Sequence, residues 1–142
     1  MADAHRAAGD GTVPGKVAGR LAERIGLEFL ELDPSRVVAR IPVEGNTQPY
    51  GILHGGATAM LCETVASIGT ALAVGMEKQV MGIELNVNHI GAVKEGHVTA
   101  IGMPLHVGRS TAVWDVKVHD DESRLIAAGR LTLVIREPRR DE

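Results

Sequence analysis

Gln48-Pro-Tyr-Gly-Ile-Leu-His54-Gly-Gly-Ala-Thr-Ala-Met-Leu-Cys-Glu63-Thr-Val-Ala-Ser67-Ile-Gly-Thr-Ala-Leu-Ala-Val74-Gly-Met76 is the stretch whose reading decides the fold. From Ala57 to Val74 the side chains are small or apolar, and Glu63 is the only charge between His54 and Glu77. A helix that is apolar nearly all round is normally a buried one. His54-Gly55-Gly56 reads as the tight entry into it. A buried carboxylate without a partner is expensive, and no basic residue lies within a helical turn of Glu63. Its presence therefore needs a chemical reason.

On the N-terminal side, Val17, Leu21 and Ile25 recur one turn apart ahead of Gly26, which predicts a short amphipathic helix. Leu27–Leu32 and Arg36–Val43 then read as a hairpin across Asp33-Pro34-Ser35. On the C-terminal side come four strand candidates: 80–90, 97–107, 111–119 and 124–136. Their separators are short enough for antiparallel neighbours. Alternation places Met81, Ile83, Leu85 and Val87 on one face of the first. It places Ala112, Trp114, Val116 and Val118 on one face of the third, and Leu125, Ala127, Leu131 and Leu133 on one face of the fourth. The expectation is an α+β domain in which a curved antiparallel sheet of about six strands wraps one long helix. A single sheet layer leaves an edge or a face in need of cover, so oligomerisation is expected. Residues 13–137 form the one domain, between a loose N-terminal tail (1–12) and a charged C-terminal tail (138–142).

Composition removes several classes of function. With 142 residues and 44% hydrophobic content the chain supports one ordinary core. Fifteen basic against 18 acidic residues, net charge −3, give no electrostatic footprint for nucleic acid. Glu63 and its many small neighbours keep the apolar stretch short of a membrane span. The polar N-terminal residues do not resemble a signal peptide, so a cytoplasmic protein is expected. The single cysteine, Cys62, has no internal disulfide partner and reads as structural. No His, Asp and Cys set has metal-ligand spacing, and neither metal nor cofactor is expected.

The chemistry concentrates at the start of the long helix. The first amides of a helix lack intrahelical partners and sit at the positive end of its dipole. They can donate to a carbonyl oxygen that is becoming an oxyanion. Glycine at 55 and 56 lets a substrate approach that backbone. Glu63 can serve as nucleophile or general base toward the same carbonyl. Eight residues of helix separate Gly55 from Glu63, about 12 Å at a rise of ~1.5 Å per residue. The two cannot act on one atom within a single chain. If both are catalytic, they come from different subunits, and the site lies at a dimer interface.

Gln48, His54, Gly55, Gly56 and Glu63, as Gln-x5-His-Gly-Gly-x6-Glu, resemble the motif of hotdog-fold acyl-CoA thioesterases of the phenylacetate-pathway and 4-hydroxybenzoyl-CoA thioesterase type. The similarity extends to the branch acting on 1,4-dihydroxy-2-naphthoyl-CoA or on mischarged aryl carrier proteins. It runs in order through Asn88-His89-Ile90, Lys94-Glu95-Gly96, Pro104 to Ser110, Val113-Trp114 and Arg130-Leu131-Thr132, covering about residues 20–136.

The resemblance implies a role for each motif residue. Glu63 attacks the thioester carbon or activates water, and Gly55 of the facing subunit polarises the carbonyl. Gln48 positions water or carbonyl, His54 orients the loop or lies near the sulfur, and Ser67 assists Glu63 from one turn on. His89, Arg109 and Ser110 would contact the CoA nucleotide. Gly56 belongs with the substrate-binding residues. Independently of the resemblance, aromatic residues are scarce, Phe29, Tyr50 and Trp114 only, so an aryl acyl group would have to pack mostly on aliphatic side chains such as Leu53, Met60 and Leu61. The implied partners are an acyl-CoA substrate and an acyl or aryl carrier protein, and the implied assembly is a homo-oligomer, at least a dimer and up to a tetramer. Two alternatives stay open: a hydratase or dehydratase of acyl thioesters, and a non-catalytic acyl-CoA-binding module. The first needs an acid/base pair aimed at the α- and β-carbons, which Gln48 and Glu63 do not obviously supply. The second gains nothing from a carboxylate in an apolar pocket.

Overall fold

A computed structural model of the chain describes residues 15–139. The expected N-terminal tail and the end of the C-terminal tail lie outside the described residues. The elements run α1 (Gly15–Arg24), β1 (Glu28–Asp33), β2 (Arg36–Pro42), α2 (Gly55–Val74), β3 (Gln79–His89), β4 (His97–Val107), β5 (Thr111–Asp120) and β6 (Leu125–Arg136). All strand pairs are antiparallel, in the order β1-β2-β4-β5-β6-β3. β3 thus closes the far edge although it is third in the chain.

α1 ends as Gly26 requires: at φ +74 it lets the Leu27 amide reach Ala22 O and the Gly26 amide reach Glu23 O, closing the last turn. The expected apolar spacing is broken, however. Gly19 departs from helical dihedrals at φ 79 and kinks α1, so Ala22 is buried while Leu21 is 57% exposed.

The sheet curls around α2, and two glycines fix how closely they pack. A Cβ at Gly69 would run into the indole of Trp114, and one at Gly102 into Val65. Leu61, Cys62, Val65 and Ala66 meet Val37, Ile41, Ala100, Trp114, Val116, Leu131 and Leu133 in the core. Cys62 is fully buried, and desolvation pushes its thiol up to about 12, so it packs as an inert apolar group. By length and hydropathy alone α2 could cross a membrane; here it is the core helix of a sheet. The helix is nevertheless less enclosed than its composition predicts. Ala59, Met60, Glu63, Thr64 and Ser67 form a strip that the single chain leaves half-exposed.

Strand faces follow the expected alternation on β5, whose even-numbered residues from Ala112 to Asp120 are buried. They depart from it wherever a bulge adds a residue. On β3, Gly82 pairs with Leu133 and Glu84 with Thr132, so Ile83 is extra and the strand changes parity there. Gly82, Leu85 and Val87 face the helix side with buried Leu133 and Leu131, whereas Met81 pairs with Val134 on the outer face. The four apolar residues expected on one face of β3 are therefore split between two. On β6 an irregularity opposite Val118 and His119 turns Ile126 into the core and leaves Leu125 40% exposed.

Candidate active site

The loop from Val43 to His54 is pinned before it reaches α2. The Asn46 side-chain amide donates to Ile25 O and Pro42 O at 2.8 Å each, and the Asn46 backbone carbonyl accepts from the His54 amide at 2.8 Å. Gln48 to Gly51 form a tight turn, the Gly51 amide donating to Gln48 O, with Gly51 at φ +75 and Pro49 supplying a fixed φ. Gln48 lies half-buried at its base, and Tyr50 at the tip is 86% exposed.

Amide accounting at the helix start singles out one donor. His54, extended at φ −71 and ψ 129, is the N-cap, and its Nδ1 accepts from the Gly56 amide at 2.8 Å. That bond leaves the ring proton on Nε2. The Ala57 and Thr58 amides go to His54 O at 3.0 and 3.4 Å. Among the described residues the Gly55 amide has no acceptor, and it points out of the positive end of a 20-residue helix. Gly55, not Gly56, is thus the group free to hold an oxyanion. His54 keeps the Gly56 amide occupied through this cap bond.

His89 stands beside Gly55 in the same chain: a Cβ on Gly55 would lie 2.9 Å from His89 Nε2. Glu63 lies eight residues along α2 against the other end of β3, its Oε1 2.6 Å from where a Cβ of Gly82 would be. The strand separates Gly82 from His89 by about 23 Å at ~3.3 Å per residue, so the carboxylate and the free amide sit toward opposite ends of β3. Glu63 is half-buried rather than sealed in the core and has no hydrogen-bond or ion-pair partner among the described residues. Its cost in the single chain is correspondingly smaller than the sequence suggests, because water reaches it. Ser67 is half-buried one turn on and makes no hydrogen bond to it.

Other expected contacts are placed apart. Arg109 and Ser110 form the exposed β4–β5 turn, next to Thr111, which pairs across Val134 to Met81. His89 is eight residues further along β3, about 26 Å away by the same rise. One chain therefore does not bring His89 together with Arg109 and Ser110, because they flank opposite ends of the ladder. Leu53 is buried in the core, whereas Met60 lies on the half-exposed strip beside Glu63. Gly82 and Asn46 were missed by sequence reasoning. A glycine inside a strand is a recognised mark of a bulge or of close approach, and would have pointed to Gly82. Nothing in the sequence distinguishes Asn46 from an ordinary loop asparagine. Among the described residues no group of three or more His, Cys, Asp or Glu could hold a metal ion. A cavity of about 470 Å³ between Lys94 and Arg124 is lined by Asp120, whose carboxylate is already engaged by the turn it caps.

One long helix wrapped by six antiparallel strands, entered through a glycine pair with a free amide, defines a hotdog fold. The chain belongs to the thioesterase superfamily, whose family profile matches residues 50–127. It is 36% identical to the 1,4-dihydroxy-2-naphthoyl-CoA hydrolase of Listeria monocytogenes over 84% of this chain and 98% of that one. It is also 36% identical to the proofreading thioesterase EntH of Cronobacter turicensis, over 82% and 86%. The thioesterase SAV0944 of Staphylococcus aureus, solved as a mutant, superposes with a TM-score of 0.79 at 37% identity, covering 82% of this chain and 98% of that one. The protein is a thioester hydrolase.

Proposed function

We propose that the protein hydrolyses an aromatic or medium-chain acyl-CoA to the free acid and CoA at a site shared by two chains. The observation that carries this is the pairing of two unsatisfied groups, the Gly55 amide and the Glu63 carboxylate, too far apart in one chain to meet on one carbonyl. Both lie against β3, the unprotected edge. β1, the other edge, has six residues, a bulge, and ion pairs linking Glu28 to Arg40 and Glu31 to Arg36. β3 has eleven residues and exposes Met81 and Ile83. A long apolar edge is a template for another strand. Antiparallel pairing of two β3 strands about their midpoint would bring the Gly82 end of each to the His89 end of the other. Glu63 of one chain would then meet Gly55 of the second, and the Arg109–Ser110 turn would approach the second chain's His89.

In this reading the Gly55 amide polarises the thioester carbonyl. Glu63 attacks the carbonyl carbon or removes a proton from the water that does. The C–S bond breaks and the thiolate leaves as CoA. Gln48 positions water or carbonyl, Ser67 supports Glu63, and Met60 meets the acyl group. No metal or cofactor takes part, and a cytoplasmic setting where acyl-CoA and acyl or aryl carrier proteins occur suits it. Two relatives, both 1,4-dihydroxy-2-naphthoyl-CoA hydrolases, have names that favour an aryl acyl group. The Staphylococcus aureus relative has been solved with a glutamine and, separately, a glutamate replaced by alanine, at the spacing of Gln48 and Glu63. That spacing supports the pairing of these two residues in one activity.

Complementation tests the reading. Glu63→Ala and Gly55→Pro chains, each inactive alone in thiol release from an acyl-CoA panel, are mixed from the unfolded state. Random dimers carry one intact site in each heterodimer, so activity recovers to about a quarter of native. A mixture as inactive as its components refutes the shared site. Full thiol release by Glu63→Ala alone refutes the role of Glu63.

A further inference from the structure

A carboxylate that acts on a substrate needs to be held within about 0.5 Å of its working position, yet Glu63 has no polar partner among the described residues to hold it. What defines its position is the strand beneath. The three atoms nearest to an ideal Cβ at Gly82 all belong to Glu63: Oε1 at 2.6 Å, Cδ at 3.3 Å and Cγ at 3.7 Å. The carboxylate occupies the volume a side chain at position 82 would take.

The backbone conformation at this position does not call for glycine. Gly82 is not among the residues with positive φ, so its backbone suits any L-residue. It lies on an exposed edge strand. Glycine within a strand weakens it, through backbone entropy and the lack of a side chain to pack. The bulge at Ile83 completes the arrangement. It lets Gly82 face α2 while Leu85 and Val87, an odd number of residues further on, face it too. A regular strand with Gly82 inward would turn Glu84 and Asn86 toward the helix instead.

We infer that Gly82 is a positioning residue for the reaction, kept without a side chain so that the Glu63 carboxylate rests on the β3 backbone at the edge where the substrate enters. The inference rests on the reading of Glu63 as the acting carboxylate. It adds a size rule that the reading lacks: residues 63 and 82 share one volume, so a longer acid at 63 requires glycine at 82 and a shorter one tolerates alanine.

Gly82→Ala, Glu63→Asp, the double variant and Glu63→Ala are compared by steady-state thiol release and thermal melting. The methyl added by Gly82→Ala displaces only the far end of a flexible side chain, so this variant melts at or above the native temperature. Its kcat falls at least about tenfold, the scale of a misplacement approaching 1 Å, while KM moves less than about twofold because CoA contacts are untouched. The shorter acid of Glu63→Asp withdraws by one methylene. Adding Gly82→Ala to that variant therefore costs less than about threefold, a non-additivity that marks direct contact. Native kcat in Gly82→Ala, together with a large loss in Glu63→Ala, overturns this inference alone. Equal losses from Gly82→Ala in the native and Glu63→Asp backgrounds overturn it as well. Retention of full activity by Glu63→Ala overturns the reading beneath it.

Discussion

Gly55→Pro replaces the amide hydrogen of the proposed oxyanion site with the ring Cδ, removing the donor and closing its place, and the structure shows why the helix should accept it. Position 55 is the first helical residue, where proline is favoured because its missing N–H has no intrahelical partner. The preceding residue must be extended, and His54 already is, at ψ 129. No bond among the described residues is lost, since only Gly56, Ala57 and Thr58 donate to the cap. The new Cβ meets the exposed His89 imidazole, a contact that Gly55→Ala controls for: it brings the same Cβ to 2.9 Å from His89 Nε2 but keeps the N–H. Losing one oxyanion donor typically lowers kcat by about 10²–10³, or ~2.7–4 kcal/mol. Stability should hold or rise by about 0.4–1 kcal/mol, because the unfolded chain loses freedom. The assay is kcat for acyl-CoA hydrolysis beside a urea melt for each variant. A kcat for Gly55→Pro within about threefold of Gly55→Ala, with both folded, would show that this amide does not carry the oxyanion.

Gly69→Ala should destabilise although alanine usually gains about 1 kcal/mol over glycine inside a helix. Its Cβ would lie 2.6 and 2.8 Å from Trp114 Cζ2 and Cζ3, and overpacking of a buried ring costs about 1–3 kcal/mol. A lower urea midpoint is expected, and a higher one would contradict the packing described. Asp120 gives a pH signature. Burial alone would raise its carboxyl, but the Arg124 amide and guanidinium, with the Glu122 amide, outweigh that and hold it below the usual range. A depressed folded value means its contribution is present above an unfolded pKa near ~3.9 and is lost as pH falls through the folded value. The difference in melting temperature between native and Asp120→Asn should be constant near neutrality and shrink below about pH 4; a gap that widens in acid would reverse the assignment.

What the sequence made legible, and what it hid, divides by the range of the interaction responsible. The helix over 55–74 and six strands follow from local periodicity and turn residues, and β5 keeps strict alternation because no bulge interrupts it. The burial of Glu63 is overstated by the sequence. Its neighbours' hydropathy describes the environment of a wrapped helix, but one side of α2 stays half-exposed because the sheet ends at β3. Likewise β3 defeats the period-2 reading, since the apolar pattern 81, 83, 85, 87 is regular in sequence while the backbone inserts Ile83 as an extra residue.

The same bulge links these two departures to the site. It turns Gly82 under Glu63 and leaves Met81 on the outer face, so the carboxylate gains a seat on the one long edge that lacks a neighbouring strand. At the other end of that edge, the residue following the His54 cap keeps an amide unspent. Among buried side-chain nitrogen and oxygen atoms of the described residues only Trp114 Nε1 lacks a partner. The free Gly55 amide and the unpartnered Glu63 carboxylate both lie along an unpaired edge, and that shared placement is the physical ground for locating the chemistry there. Helix spacing alone already holds Gly55 apart from Glu63 in one chain, and the register of β3 against β6 adds what spacing could not, that the Arg109–Ser110 turn lies at the opposite end of the ladder from His89.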